Sequence, residues 1–260
     1  MRFALLFPAF ACLLPAQFTE EHVAQARAKG EQYERTVAAA NRLMRAWLQH
    51  ADPVTLLLPD RLGRAERVYT PHNSGADLYP YLILTAHLTA PELYSGRMME
   101  MLRNEIRHTT HANGLPGNFD LNTRTLGPPS IFGAAEYAKD GLLAVTERLG
   151  RTPWFYRMAD LAAATMEAAP VDSKFGRLPA RDSEVNGDML QTLVRLAAMT
   201  GDGRYLDWAR RIGDAYVREV LPNNGGLPAM NWDFTKHTGD GKLRLRDHGN
   251  EIVAGLALQF

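Results

Sequence analysis

Residues 188–221 read DMLQTLVRLAAMTGDGRYLDWARRIGDAYVREVL. Two helices of different character are written there. Residues 189–199 are apolar on most sides, as a buried helix is. In residues 203–221, Tyr205, Leu206, Ala209, Ile212, Gly213, Tyr216 and Val220 share one stripe, while Arg204, Asp207, Arg210, Arg211, Asp214 and Arg218 stay polar. That is the period of an amphipathic surface helix. Only residues 200–202 separate the two, so the segment predicts a hairpin of an inner helix and an outer helix.

The same unit recurs along the chain. Residues 78–88 and 142–149 are apolar runs like 189–199, and Met98, Met101, Leu102 and Ile106 make an outer stripe. Thr152-Pro153 reads as the N-cap and first position of another outer helix. Gly114-Leu115-Pro116, Gly176-Arg177-Leu178-Pro179 and Gly226-Leu227-Pro228 are three versions of one turn, their prolines 63 and 49 residues apart. Asp77, Asp140, Asp188 and Glu251 precede apolar runs at spacings of 63, 48 and 63. An earlier amphipathic helix, about residues 31–51, carries Tyr33, Val37, Leu43, Met44 and Trp47 on one side and is followed by Leu58-Pro59. It reads as an unpaired outer helix.

The pattern predicts an all-α protein, an (α/α)n toroid of inner and outer helices over residues 17–260. An open solenoid of the tetratricopeptide kind would repeat at ~34 residues with short regular loops; neither is present. One short β-hairpin is expected, residues 232–237 with 242–246, around Asp240-Gly241.

Composition narrows the function. Lys+Arg and Asp+Glu balance at 29 each, which gives no basic excess for a nucleic-acid partner. Arg2, the apolar run 3–14 and Pro15-Ala16 read as a secretory signal peptide over residues 1–16, implying a secreted or periplasmic protein. The run is too short to span a bilayer. The single cysteine, Cys12, would leave with it. No Gly-rich phosphate loop, G-x-S-x-G elbow or H-E-x-x-H is present. His108 and His111 lack an evident third ligand, so no metal and no cofactor is expected.

The alternation of buried and amphipathic helices resembles the six-hairpin glycosidase superfamily, the (α/α)6 toroids, over roughly residues 31–260. Asp140-Gly141-Leu142-Leu143, and in part Asp188-Met189-Leu190, are similar to the D-x-[ML]-[ML] context of unsaturated glucuronyl hydrolases, where the catalytic Asp opens an inner helix. The resemblance implies a glycoside hydrolase for uronic-acid-containing or related oligosaccharides. Its acid would protonate a vinyl ether carbon, and water would add without a metal. A full ring has six hairpins. This sequence shows about four, breaking off in the apolar run 256–260, so a C-terminal truncation is expected.

The long links all fall where inner helices begin, and long loops in a compact domain are usually functional. Four residues before the recurring acids stand Asn73, Glu136, Glu184 and Asp247. Positions i and i+4 share a helix face, so stacked acids are expected at one mouth, with Asp140, Asp77, Asp188 and Glu251 as candidate catalytic residues. First-turn acids also suit the helix dipole, the plainer account of the earlier set. Asp140 is expected to be the general acid, its pKa raised by Glu136, with Lys139 turned aside by about 100°. Trp232, Phe234, Tyr79 and Tyr137 are candidate sugar-stacking rings, and Arg181, Arg244 and Arg246 candidate carboxylate clamps. His72 and His248 sit among them; His72 with Tyr79 would suit a polysaccharide lyase or sugar epimerase instead. A carbohydrate-binding toroid without catalysis is the third reading.

Overall fold

The computed structural model describes residues 19–243, 246 and 248–260. The signal-peptide reading and the positions of Cys12, Arg244 and Asp247 lie outside them. The chain divides into two units, residues 1–40 and 41–260. One long helix, α1 (Glu20–Leu48), starts earlier than the sequence reading placed it. In the first unit its residues are nearly all exposed. Within the second, Met44 and Leu48 are buried.

Among the described residues of the second unit, four inner helices stand side by side in chain order. They are α2 (residues 71–89), α4 (131–149), α6 (Ser183–Thr200) and α8 (Glu251–Gln259). Outer helices α3 (residues 91–109), α5 (Pro153–Glu167) and α7 (203–223) each follow an inner one after a short link. Leu82, Leu142, Met189, Leu190 and Leu193 are fully buried in the inner layer, and Trp154, Met158, Leu161, Ala209 and Ile212 face them from the outer one. Truncating one such leucine to alanine costs about 2–5 kcal/mol. Thr152 precedes α5 as expected but makes no side-chain cap. Between α3 and α5, Arg157 grips Glu105 with two hydrogen bonds, at 2.6 and 3.0 Å, and both side chains are buried. Thr109 donates a further bond to Glu105.

Three devices hold the links. The glycines of the repeated turn, Gly114, Gly176 and Gly226, all have positive φ, at 83°, 111° and 80°. A side chain there would be strained, which is why this residue recurs with the turn. Ser130 and Asp182 cap α4 and α6, accepting from the amides of Gly133 and Val185. Lastly, α8 lies so close to α6 that a Cβ on Gly187 would overlap the backbone at Glu251–Ile252.

The strands depart from expectation. A three-stranded antiparallel sheet, β1 (Val68–Tyr69), β2 (Gly117–Asp120) and β3 (Thr125–Pro129), was not legible, because β3 reads TLGPP, poor strand sequence. The expected hairpin exists at Trp232 but turns earlier. Its strands are β4 (Trp232–Asp233) and β5 (Thr238–Gly239). Asp233 closes the turn by accepting from the amides of Thr235 and Lys236, each at 3.0 Å. Asp240-Gly241 lies past it, so local side-chain-to-backbone bonding outweighed the Asp-Gly signal.

Candidate active site

At the end where the long links lie, a cavity of about 690 Å³ opens between the inner helices. From α2 it is lined by His72, Asn73, Ala76, Asp77 and Pro80, and from α4 by Phe132, Glu136, Lys139 and Asp140. Glu251, the first residue of α8, and His248 ahead of it complete the wall. Parts of two inner helices are π-wound here, residues Pro71–Leu78 of α2 and Tyr137–Leu143 of α4. Such widened turns recur at functional sites and re-aim side chains. They also break the shared register read from the sequence. Asp77 and Asp140 lie well inside their helices, whereas Glu251 stands at the start of its own.

Asp188 on α6 lies fully buried beside the cavity. Its carboxyl and that of Glu136 are close enough to share a hydrogen bond when one of the two keeps a proton. Neither oxygen of Asp188 meets a hydrogen-bond donor among the described residues. Burial, and then the charge of Glu136, push the Asp188 carboxyl well above the ordinary range. Burial raises Glu136 to about 7; the bond from Asp188 restrains that rise, while Asp140 and Glu184 add to it. Asp77 is raised more modestly, by burial and then by Asp140. Burial lowers His72, so its imidazole is mostly neutral at pH 7.

Lys139 is the residue the sequence reading turned aside, and the structure corrects that. Its Nζ lies 2.7 Å from Asp140 Oδ1 and 2.7 Å from Glu251 Oε2. Burial alone would lower its pKa, but these bonds outweigh it and keep the ammonium charged. Asp140 therefore has a cation in contact, and the expectation that Glu136 acts on it unopposed falls.

The remaining candidates divide. His72, Asn73, Asp77, Glu136, Asp140, His248 and Glu251 meet at the cavity, and Glu184 reaches it through His248, Oε1 to Nδ1 at 2.7 Å. Glu136, Glu184 and His248 each bring one ligand atom within 4.8 Å of the others, donor types a divalent cation accepts. Each of the three already has a protein partner. Tyr79 is corrected: it is 3 % exposed and packs in the core against Tyr69 and Tyr137. Trp232 is corrected too. It is 1 % exposed, and its indole N–H donates to Glu219 at 3.0 Å, anchoring the β4–β5 hairpin. Phe234 and Tyr137 are likewise buried. Arg181 and Arg246 are exposed and do not line the cavity; Arg181 pairs with Asp233 at 3.4 Å. The aromatic surface at the mouth is Phe132, 38 % exposed, with the His72 ring 5.4 Å away. Its position just after the Ser130 cap was the available signal.

No protein-family profile and no curated protein matches the sequence. Solved structures match its fold. An unsaturated glucuronyl hydrolase from Bacillus sp. GL1, described as responsible for the degradation of glycosaminoglycan, is 15% identical, with a TM-score of 0.52 over 80% of this chain and 62% of that one. A D-mannose isomerase is 12% identical, with a TM-score of 0.56 over 74% of this chain and 56% of that one. An alpha-amylase from Clostridium perfringens is 10% identical, with a TM-score of 0.52 over 74% and 56%. The likeness is one of fold: the α/α toroid expected from the sequence is the fold observed. The chain spans about three fifths of the length of these structures.

Proposed function

We propose that this chain carries the acid cleft of a carbohydrate-active enzyme, a glycoside hydrolase for uronic-acid-containing or related oligosaccharides. One observation carries the reading. Glu136 lines the cavity next to the buried Asp188, and burial raises its carboxyl to about 7, facing a wall that also offers Asp77 and Asp140. Glycoside cleavage needs one carboxyl that gives a proton and one carboxylate that takes one. Here Glu136 protonates the departing glycosidic oxygen as its bond to the anomeric carbon breaks. Asp140 or Asp77 accepts a proton from the water whose oxygen forms the new bond. Asp188 keeps Glu136 supplied and oriented, and Phe132 offers an apolar ring to a sugar face. The fold it shares with a glucuronyl hydrolase supports the substrate class by analogy.

A second reading has its own support. His72 and His248 line the same cavity, and a D-mannose isomerase shares the fold. A sugar isomerase or epimerase would move a proton between carbons through such imidazoles. The lyase variant that relied on Tyr79 loses its hydroxyl to the core.

Export belongs to the same proposal, since residues 1–16 read as a signal peptide; N-terminal sequencing of the exported protein tests it. Among the described residues no helix is long and apolar enough to cross a membrane. The deciding assay offers the protein unsaturated uronyl disaccharides, ordinary glycosides and free aldoses. Glycoside turnover that falls about a hundredfold or more in Glu136→Gln supports the hydrolase. Aldose isomerisation lost in His248→Ala and kept in Glu136→Gln would replace it with the isomerase.

A further inference from the structure

Among the described residues lining the cavity, Lys139 is the one lysine or arginine. Acids from three helices converge on its ammonium. Asp140 of α4 and Glu251 of α8 contact it at 2.7 Å each, and Asp188 of α6 stands 3.9 Å away. Its side chain is 16 % exposed, so solvent screens these contacts little. Glu251 is held in place from behind, where Gln191 of α6 donates to its carboxylate at 2.7 Å. The remaining acids that face this group are Glu136 on α4, Glu184 on α6 with His248 beside it, and Asp77 on α2. So many carboxylates this close together cannot all be charged without compensation.

We propose that Lys139 is the positioning cation of this cleft. By pairing with Asp140 and Glu251 it leaves the retained proton to the one couple it does not grip closely, Glu136 and Asp188. The same ammonium ties α4 to α8 at the cavity and stands 3.9 Å from Asp188 of α6. Its purpose rests on the enzymatic reading above, but its effect on the acids does not.

The test is a carboxyl titration of the whole chain, labelled with ¹³C at Asp and Glu side-chain carboxyls and followed by NMR. Glu136→Gln and Asp188→Asn assign the signals of the pair. Lys139→Gln removes the nearest opposite charge, so the pair should hold its proton higher by roughly one pH unit or more. Lys139→Met, which keeps an aliphatic stem, carries the same expectation should Gln fail to fold. Lys139→Arg keeps the charge and should titrate close to wild type. A folded neutral variant whose pair titrates as in wild type overturns the proposal, and so does an Arg variant that behaves like Gln. No substrate is needed. A moved titration in a protein inactive on every sugar offered counts against the enzymatic reading alone; an unmoved one in an active protein counts against Lys139 alone.

Discussion

Glu136 and Lys139 stand three residues apart on one helix, and their surroundings select opposite charge states. Glu136 is raised from 4.5 to about 7 by burial beside other acids, so ionising it in the folded protein is costly. A carboxyl whose folded pKa exceeds its unfolded one contributes fully below the unfolded value and loses that contribution as pH rises through the folded one. The window is therefore about pH 4.5 to 7. Glu136→Gln has no charge to form, so it should gain on wild type across that window, by on the order of 3 kcal/mol at most. Urea unfolding of both proteins at about pH 5 and about pH 8 measures this; parallel behaviour would remove Glu136 as the proton holder. Phe132 makes a different kind of contribution. In the proposed enzyme an exposed ring at the mouth would hold a sugar face without taking part in chemistry. Phe132→Ala should raise KM roughly five- to tenfold and leave kcat near its original value. A matching fall in kcat would mean the ring orients the reacting bond instead.

At the scale of elements, the sequence and the structure part at identifiable places. The Gly-Leu-Pro turns were legible because positive φ demands glycine, and Gly114, Gly176 and Gly226 all have it. The hairpin order followed from the contrast between residues 189–199 and 203–221. What could not be read was winding and depth. A π-turn leaves no residue signature, so the i, i+4 stacking of Glu136 and Asp140 was drawn on the wrong helix geometry, and Lys139 was lost. Trp232 looked like loop, yet its partner Glu219 lies on the preceding helix, and only tertiary packing shows the pair. Helix spacing was equally hidden. Glu251 meets Lys139 because Gly187 lets α8 approach α6 at backbone distance. Gly187→Ala should push them apart, at a cost of about 1–3 kcal/mol. Faster amide exchange confined to residues 251–259 would show the separation; unchanged stability and exchange would mean the helices adjust without it. Between the outer helices, Arg157→Met should cost about 3–5 kcal/mol by urea unfolding, because it leaves Glu105 charged and buried. A cost below about 1 kcal/mol would mean that the Arg157–Glu105 pair contributes little there.

Over the whole molecule, the repeat carried the architecture. Buried helices alternate with amphipathic ones, short links close each pair, and long links gather at one end, so the place of the cleft followed from link lengths alone. The chemistry within it did not, because a carboxyl's role depends on its neighbours in space. Asp140 was favoured for its local context, whereas the carboxyls that burial raises most are those of Glu136 and Asp188, brought together from α4 and α6. A proton retained by this pair is the centre of the account, and infrared spectroscopy observes it directly through the C=O stretch of a protonated carboxyl. In wild type the band should be present at about pH 6, weaken as Glu136 ionises at about pH 7 while the more strongly raised Asp188 keeps its proton beyond that, and be missing at pH 6 in the Glu136→Gln, Asp188→Asn double variant. A wild-type spectrum at pH 6 with every carboxyl ionised, or a double variant that keeps the band, would contradict it.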